Sequence, residues 1–222
     1  MTYSFDFSSL VPYWNQLLNG SLLTLGLTAT SVMIAFVLAI VTAMARRSRF
    51  AAFRIAGACY VEIIRNTPFL LQVLFIFFGL PSLGVSLTPW TASVIALSLN
   101  CGAFSAEIVR SGIEAVPRGQ FEAGAALGLK PIQVFYYIVL KPALRVIFPA
   151  LSGQFVLVLL TTSIVSSISA EELTSTAQSI DTITFRSFEI YIVATILYFV
   201  MSYIFATIFK SINHLFLSYP VK

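Results

Sequence analysis

The feature that most constrains this chain is the recurrence of long apolar windows. Residues 22–45 carry no charged side chain and end in a cluster of Arg46, Arg47, Arg49 and Arg54. A helix needs about 20 apolar residues to cross roughly 30 Å of hydrocarbon, and further apolar windows follow at 55–80, 91–106, 146–170 and 190–209. Of the 222 residues, 58% are hydrophobic and 10% charged. Soluble domains have about 45–50% and 25%, so this chain lacks the polar side chains to cover a water-facing surface. The fold class that follows is an all-α membrane protein with five transmembrane helices in a single domain over 1–222, its spans at about 20–45, 56–80, 89–110, 144–170 and 188–212.

Charge sets the expected orientation. The net charge of +4 is concentrated in particular loops, which reads as topology and excludes nucleic acid as a partner. The arginine cluster after the first window and the stretch holding Glu107, Arg110, Arg118, Lys130, Lys141 and Arg145 are placed inside by the positive-inside rule. The uncharged connection at 81–89 and the acidic loop of Glu171, Glu172 and Asp181 are placed outside. The N-terminus is therefore expected outside, and the C-terminal end, with Lys210, His214 and Lys222, inside. Residues 1–10 have no positive segment or small-residue cleavage site, so the first span is expected to act as the insertion signal. Trp14, Trp90, Tyr13, Tyr191 and Tyr219 read as interfacial anchors.

Chemistry-bearing clusters are sparse. Cys59 and Cys101 lie in apolar surroundings without CxxC spacing and read as small packing residues. His214 is the sole histidine, too little for a metal site or a catalytic triad. Glu107 with Arg110 and Glu114 with Arg118 have the spacing of surface ion pairs on a helix leaving the membrane. Glu62 and Arg65 differ, because they share a helical face at membrane depth, where an unpaired charge costs at least about 2.5–3.5 kcal/mol. Two readings stand: a structural ion pair, or Arg65 presented to a substrate carboxylate beside the helix break at Pro68. Backbone groups freed at Asn66 and Thr67 favour the second, since broken helices in membranes border cavities or protein interiors.

The inner loop contains a short helix with clear punctuation, placed at about 118–128: Pro117 and Gly119 precede it, Gly128 and Pro131 follow. Gly128 suits a left-handed residue closing a helix. Between them Phe121, Ala123, Gly124, Ala125 and Ala126 make a slim rod that a groove on another protein can receive.

Glu122-Ala123-Gly124, followed by Gly128 and an apolar stretch to Leu140, resembles the EAA loop of binding-protein-dependent ABC importer permeases. The flanks Ala106-Glu107-Ile108-Val109-Arg110-Ser111-Gly112-Ile113 and Val116-Pro117-Arg118-Gly119-Gln120 resemble the polar amino-acid branch, as does Arg65-Asn66-Thr67-Pro68-Phe69-Leu70-Leu71-Gln72. The resemblance spans about residues 60–165. It implies a type I importer permease of a bacterial inner membrane, with Gln120, Phe121, Glu122, Ala123, Gly124, Ala125, Gly128 and Leu129 at the contact with an ATPase subunit dimer. It further implies a substrate pathway at Glu62, Arg65, Asn66, Thr67, Gln72, Glu107, Thr161, Thr162 and Ser163, an extracytoplasmic solute-binding protein, and an amino-acid-like substrate.

No GxxxxGK[ST] phosphate loop occurs, so ATP and magnesium are expected on the partner ATPase, with no cofactor on this chain and no enzymatic activity of its own. Three positions depart from the family pattern. Gly124 replaces the usual alanine and is expected to loosen the short helix by about 0.5–1 kcal/mol. Lys141-Pro142 shifts a kink by one residue, and Leu160-Thr161-Thr162-Ser163 stands where such permeases commonly have Lys-Asp-Thr-Ser. Loss of that charged pair leads to the expectation of a heterodimer with a second permease, this chain supplying the weaker half of the substrate site. A self-contained channel or secondary transporter is the rival reading.

Overall fold

The computed structural model describes residues 4–217; Tyr219 and Lys222, placed above as an anchor and an inner-side charge, lie outside them. The described residues are helical throughout. A 3-10 turn, Ser8–Tyr13, runs into α1 (Trp14–Arg46), and α2 (Ala51–Arg65) follows after a short corner. Beyond a break comes α3 (Phe69–Leu74), which continues as a π turn, Phe75–Gly79, and a 3-10 turn, Leu80–Leu83. Then come α4 (Pro89–Glu114), α5 (Arg118–Ala126) and α6 (Pro131–Val134), the last passing through a π turn, Phe135–Val139, into α7 (Leu140–Thr161). A 3-10 stretch, Thr162–Ile168, leads to α8 (Leu173–Thr184) and α9 (Ser187–Leu217).

Among the described residues four helical stretches are long and apolar enough to cross a membrane: Ser8–Arg46, Pro89–Glu114, Pro131–Ile168 and Ser187–Leu215. The fifth expected span is the pair Ala51–Arg65 and Phe69–Leu83, whose axes turn by 110° at the break, so it is a bent crossing and not a continuous rod. The fourth expected span is likewise α7 plus a 3-10 extension, with Pro149 inside the helix.

Helix α4 is the hub. Lipid tails are as apolar as the side chains, so helices in a bilayer associate through close packing and interhelical hydrogen bonds, which favours small residues at the contact. Helix α1 buries Gly20, Thr24, Thr28, Ser31, Ala35 and Ala39 along one stripe. Helix α4 buries Ala92, Ala96, Ala103 and Ala106 in reply. At Gly102 the two helices come close: an added Cβ would stand 3.1 Å from Leu38 of α1 and 3.0 Å from the Tyr60 hydroxyl. Gly112 permits a similar approach, its absent Cβ lying 2.2 Å from Ile147 of α7. Helix α9 buries least and presents large apolar side chains such as Phe199, Val200 and Tyr203 outward.

Two readings from sequence change here. Cys101 is buried in the core beside Val73, Leu97 and Val158, but Cys59 is exposed and packs in no core. The stretch read as an acidic outer loop is helical from Leu173 to Thr184. Glu172 is fully buried and caps α8, its carboxylate accepting the Thr174 and Ser175 N–H groups at 2.8 and 2.7 Å and the Tyr198 hydroxyl at 2.5 Å. Desolvating a carboxylate is costly unless its oxygens are matched, and here three donors match them.

Candidate functional site

Thr67 precedes a proline, which disfavours the helical conformation, and Pro68 is extended at ψ 134°. Helix α2 therefore ends, leaving carbonyls without their usual partners. Side chains at the break take them up. The Asn66 amide donates to Glu62 O at 2.8 Å and the Thr67 hydroxyl to Ile63 O at 2.8 Å. Gln72 reaches back from α3, its Nε2 within 2.8 Å of Ile64 O, 2.9 Å of Thr67 Oγ1 and 3.1 Å of Thr67 O. Its carbonyl oxygen accepts from Asn100 Nδ2 of α4 at 3.1 Å. Asn100 lies near the middle of α4, so the break sits near mid-depth of the bundle. Gln72, read from sequence as a pathway residue, is thus a clasp that holds the break closed. Asn100 was missed; a single amide within an otherwise apolar span was the signal that could have found it.

Beside the break lies a cavity of about 290 Å³ lined by Arg46, Val61, Glu62, Arg65, Asn66, Phe104 and Glu107. Glu62 and Arg65 form no ion pair with each other among the described residues, contrary to the structural-pair reading. The Arg65 guanidinium instead lies over the Phe104 ring, 5.2 Å from its centre, a cation–π contact that leaves its N–H edges open. Glu107 is heavily engaged: Arg46 of α1 donates to it at 2.5 Å, and Arg110, one turn along, donates from two nitrogens. Arg110 also pairs with Glu114 at 2.5 Å. The expected Glu114–Arg118 pair is absent among the described residues, because α4 ends at Glu114 and the chain turns before Arg118.

The fourth-span hydroxyls are turned inward on their own helix. Thr161, Thr162 and Ser163 donate to Leu157 O, Leu159 O and Leu160 O at 2.7, 2.7 and 2.8 Å. Thr162 is fully buried, so it lines no open surface of this chain.

Helix α5 is built as its punctuation predicts. Gly128 has φ +75°. Its N–H donates to Ala125 O at 3.0 Å, and the Leu129 N–H donates to Gly124 O at 3.2 Å. This is the paired 5→2 and 6→1 arrangement of a Schellman cap. Phe121 and Leu129 pack on a core of Val116, Val134, Val139 and Ala143. Gln120, Glu122, Ala123 and Ala125 face outward, and Leu127 at the tip is 76% exposed. The structure corrects the reading of Gly124 as a simple loosening. It is buried, and a Cβ there would stand 2.8 Å from Val134 and 2.9 Å from Ile138. The missing methyl lets α5 lie close against the segment that leads into α7.

A bundle of apolar spans, one broken at mid-depth beside a charged cavity, with a capped short helix projecting from a loop, defines a multi-pass solute permease. The chain belongs to the family described as binding-protein-dependent transport system inner membrane component, whose model matches residues 31–216. It is 36% identical over 200 residues to the L-cystine transport system permease protein TcyB of Bacillus subtilis, covering 88% of this chain and 84% of that protein. It is 32% identical over 209 residues to the arginine permease ArtQ of the same organism, covering 94% and 95%. Identity is 30% over 211 residues to the glutamine permease GlnP of Escherichia coli, covering 94% and 96%. A solved amino acid ABC transporter with histidines superposes with TM-score 0.91 and 35% identity, over 96% of this chain and 99% of that one. The inward-facing MetNI methionine transporter shares the fold alone, with TM-score 0.72 and 21% identity over 90% and 98%.

Proposed function

We propose that this chain is the transmembrane subunit of an ATP-driven importer for polar amino acids or close analogues, forming half of the pathway and docking a separate ATPase through α5. ATP and magnesium sit on that ATPase, and an external binding protein delivers the substrate. In this reading the N-terminus is outside and α5 faces the cytoplasm.

The observation that carries it is the helix break at mid-depth next to Arg65, whose guanidinium has no carboxylate partner among the described residues. An intramembrane cation facing a cavity is kept for a ligand more readily than for stability, and an amino acid brings a carboxylate. The relatives named above, permeases for cystine, arginine and glutamine, support that substrate class. A second permease is proposed because Thr161, Thr162 and Ser163 spend their hydroxyls on their own backbone and Leu160 adds none. A zwitterion held by this span alone would leave polar groups unpaired at a cost of several kcal/mol.

The test is uptake in proteoliposomes that contain the full complex and its binding protein. Arg65→Ala should cut uptake strongly while basal ATP hydrolysis stays near wild type. Wild-type uptake by Arg65→Ala would overturn the site. Expression without the second permease should yield no stable complex; full substrate-stimulated hydrolysis from this permease and the ATPase alone would refute the heterodimer.

A further inference from the structure

We propose that the corner between α1 and α2 is a binding site for the headgroup of an anionic phospholipid. This inference is independent of the substrate and of the ATPase contact.

The corner is a concentrated, uncompensated cation. From Phe7 to Val61 the chain contains no aspartate or glutamate. Arg46 is used by Glu107, but Arg47, Arg49 and Arg54 are exposed and form no ion pair among the described residues. They are also held near one another. One Arg54 nitrogen donates to Ser48 O at 3.1 Å and to Arg49 O at 3.0 Å, closing the corner into a compact turn. The Arg49 guanidinium lies 4.8 Å from the centre of the Phe50 ring. The Arg49 and Arg54 guanidiniums held at this corner, with Arg47 beside them, present forked N–H donors, the geometry that matches phosphate oxygens.

What adjoins the corner selects a lipid over other phosphates. Met33, Val37, Val41 and Met44 are exposed along one face of α1, and Arg47 continues that face one turn further. A molecule with its phosphate on Arg47 and Arg49 would lay its acyl chains along this stripe. On the other side Phe50, Phe53 and Ile55 are exposed, with Phe50 and Phe53 in edge contact at 6.1 Å. Aromatic side chains interleaved with arginines at the end of a span suit the bilayer interface. A free anion would use the arginines alone, whereas a phospholipid uses the arginines and the adjoining apolar face together.

The test is native mass spectrometry of the purified complex in detergent, titrated with phosphatidylglycerol or phosphatidylcholine. The wild type should retain phosphatidylglycerol in preference. Arg47→Gln with Arg49→Gln, which leaves Arg54 to close the corner, should weaken that retention about 30-fold, and the matching double lysine variant, which keeps the charge without the fork, should fall between the two. Lys210→Gln, at the far end of the chain, should change nothing. Equal retention of the two lipids by the wild type, or unchanged retention by the double glutamine variant, would overturn the site. Loss of the ATPase from the double glutamine variant with lipid retention intact would also overturn it, by assigning the corner to a protein partner.

Discussion

Replacing Gly128 by alanine tests the short helix α5 without touching any contact. The position has φ +75°, and a Cβ built there meets nothing within 4 Å, so a substitution introduces no collision. Its whole effect is conformational. A non-glycine residue in the left-handed region costs about 1–2 kcal/mol, and β-branched valine more than alanine. Helix α5 has nine residues, below the roughly 12–15 at which an isolated helix becomes even marginally stable. It therefore depends on its cap and on the docking of Phe121 and Gly124. A loss of about 1–2 kcal/mol raises the population of the open helix about 5- to 30-fold. Hydrogen exchange of the α5 amides, followed by mass spectrometry, should accelerate by that factor, while the amides of α1 and α4 keep wild-type protection. Coupled uptake should fall in parallel, with asparagine at 128 intermediate because it tolerates the left-handed region better. Unchanged exchange across α5 in Gly128→Ala would refute the reasoning at its root, whatever transport does.

Gly124→Ala should fail to stabilise the protein although alanine is favoured over glycine by about 1 kcal/mol in a helix, because the new methyl meets the Val134 side chain at 2.8 Å. Combining it with Val134→Ala should restore part of any loss in melting temperature; a clear gain from Gly124→Ala alone would contradict the packing. Glu172→Ala should lower stability by about 3 kcal/mol, since two part-buried N–H donors and the Tyr198 hydroxyl lose their acceptor. Tyr198→Phe should cost about 1 kcal/mol, and thermal unfolding of the pair should show coupling between the two positions, whereas strict additivity would place them in separate networks.

What the sequence determined alone was what a bilayer leaves no freedom to vary. Backbone groups in hydrocarbon must be satisfied within the segment, so each long apolar window could only become a helix. Pro68 had to interrupt one of them and Gly128 had to close the short loop helix α5, because those constraints act on the residue itself. The EAA-like loop with its flanks carried the family by the same local route.

The tertiary structure decided which polar groups meet. Sequence spacing set Glu62 and Arg65 on one face, but Arg65 lies over Phe104 of α4, and Glu107 pairs with Arg46, 61 positions away, as well as with the expected Arg110. Gln72 became a clasp only because Asn100 of α4 arrived beside it. Glu172, read as part of an acidic outer loop, is buried because the chain after the 3-10 stretch folds back against Tyr198. Gly124 looked like a weakness until Val134 stood against it. Each of these depends on a neighbour distant in sequence or on the direction the chain takes after a break. A side chain's partner is set by which donors, acceptors and surfaces lie within a few ångströms of it, and that is a property of helix packing, not of spacing along the chain.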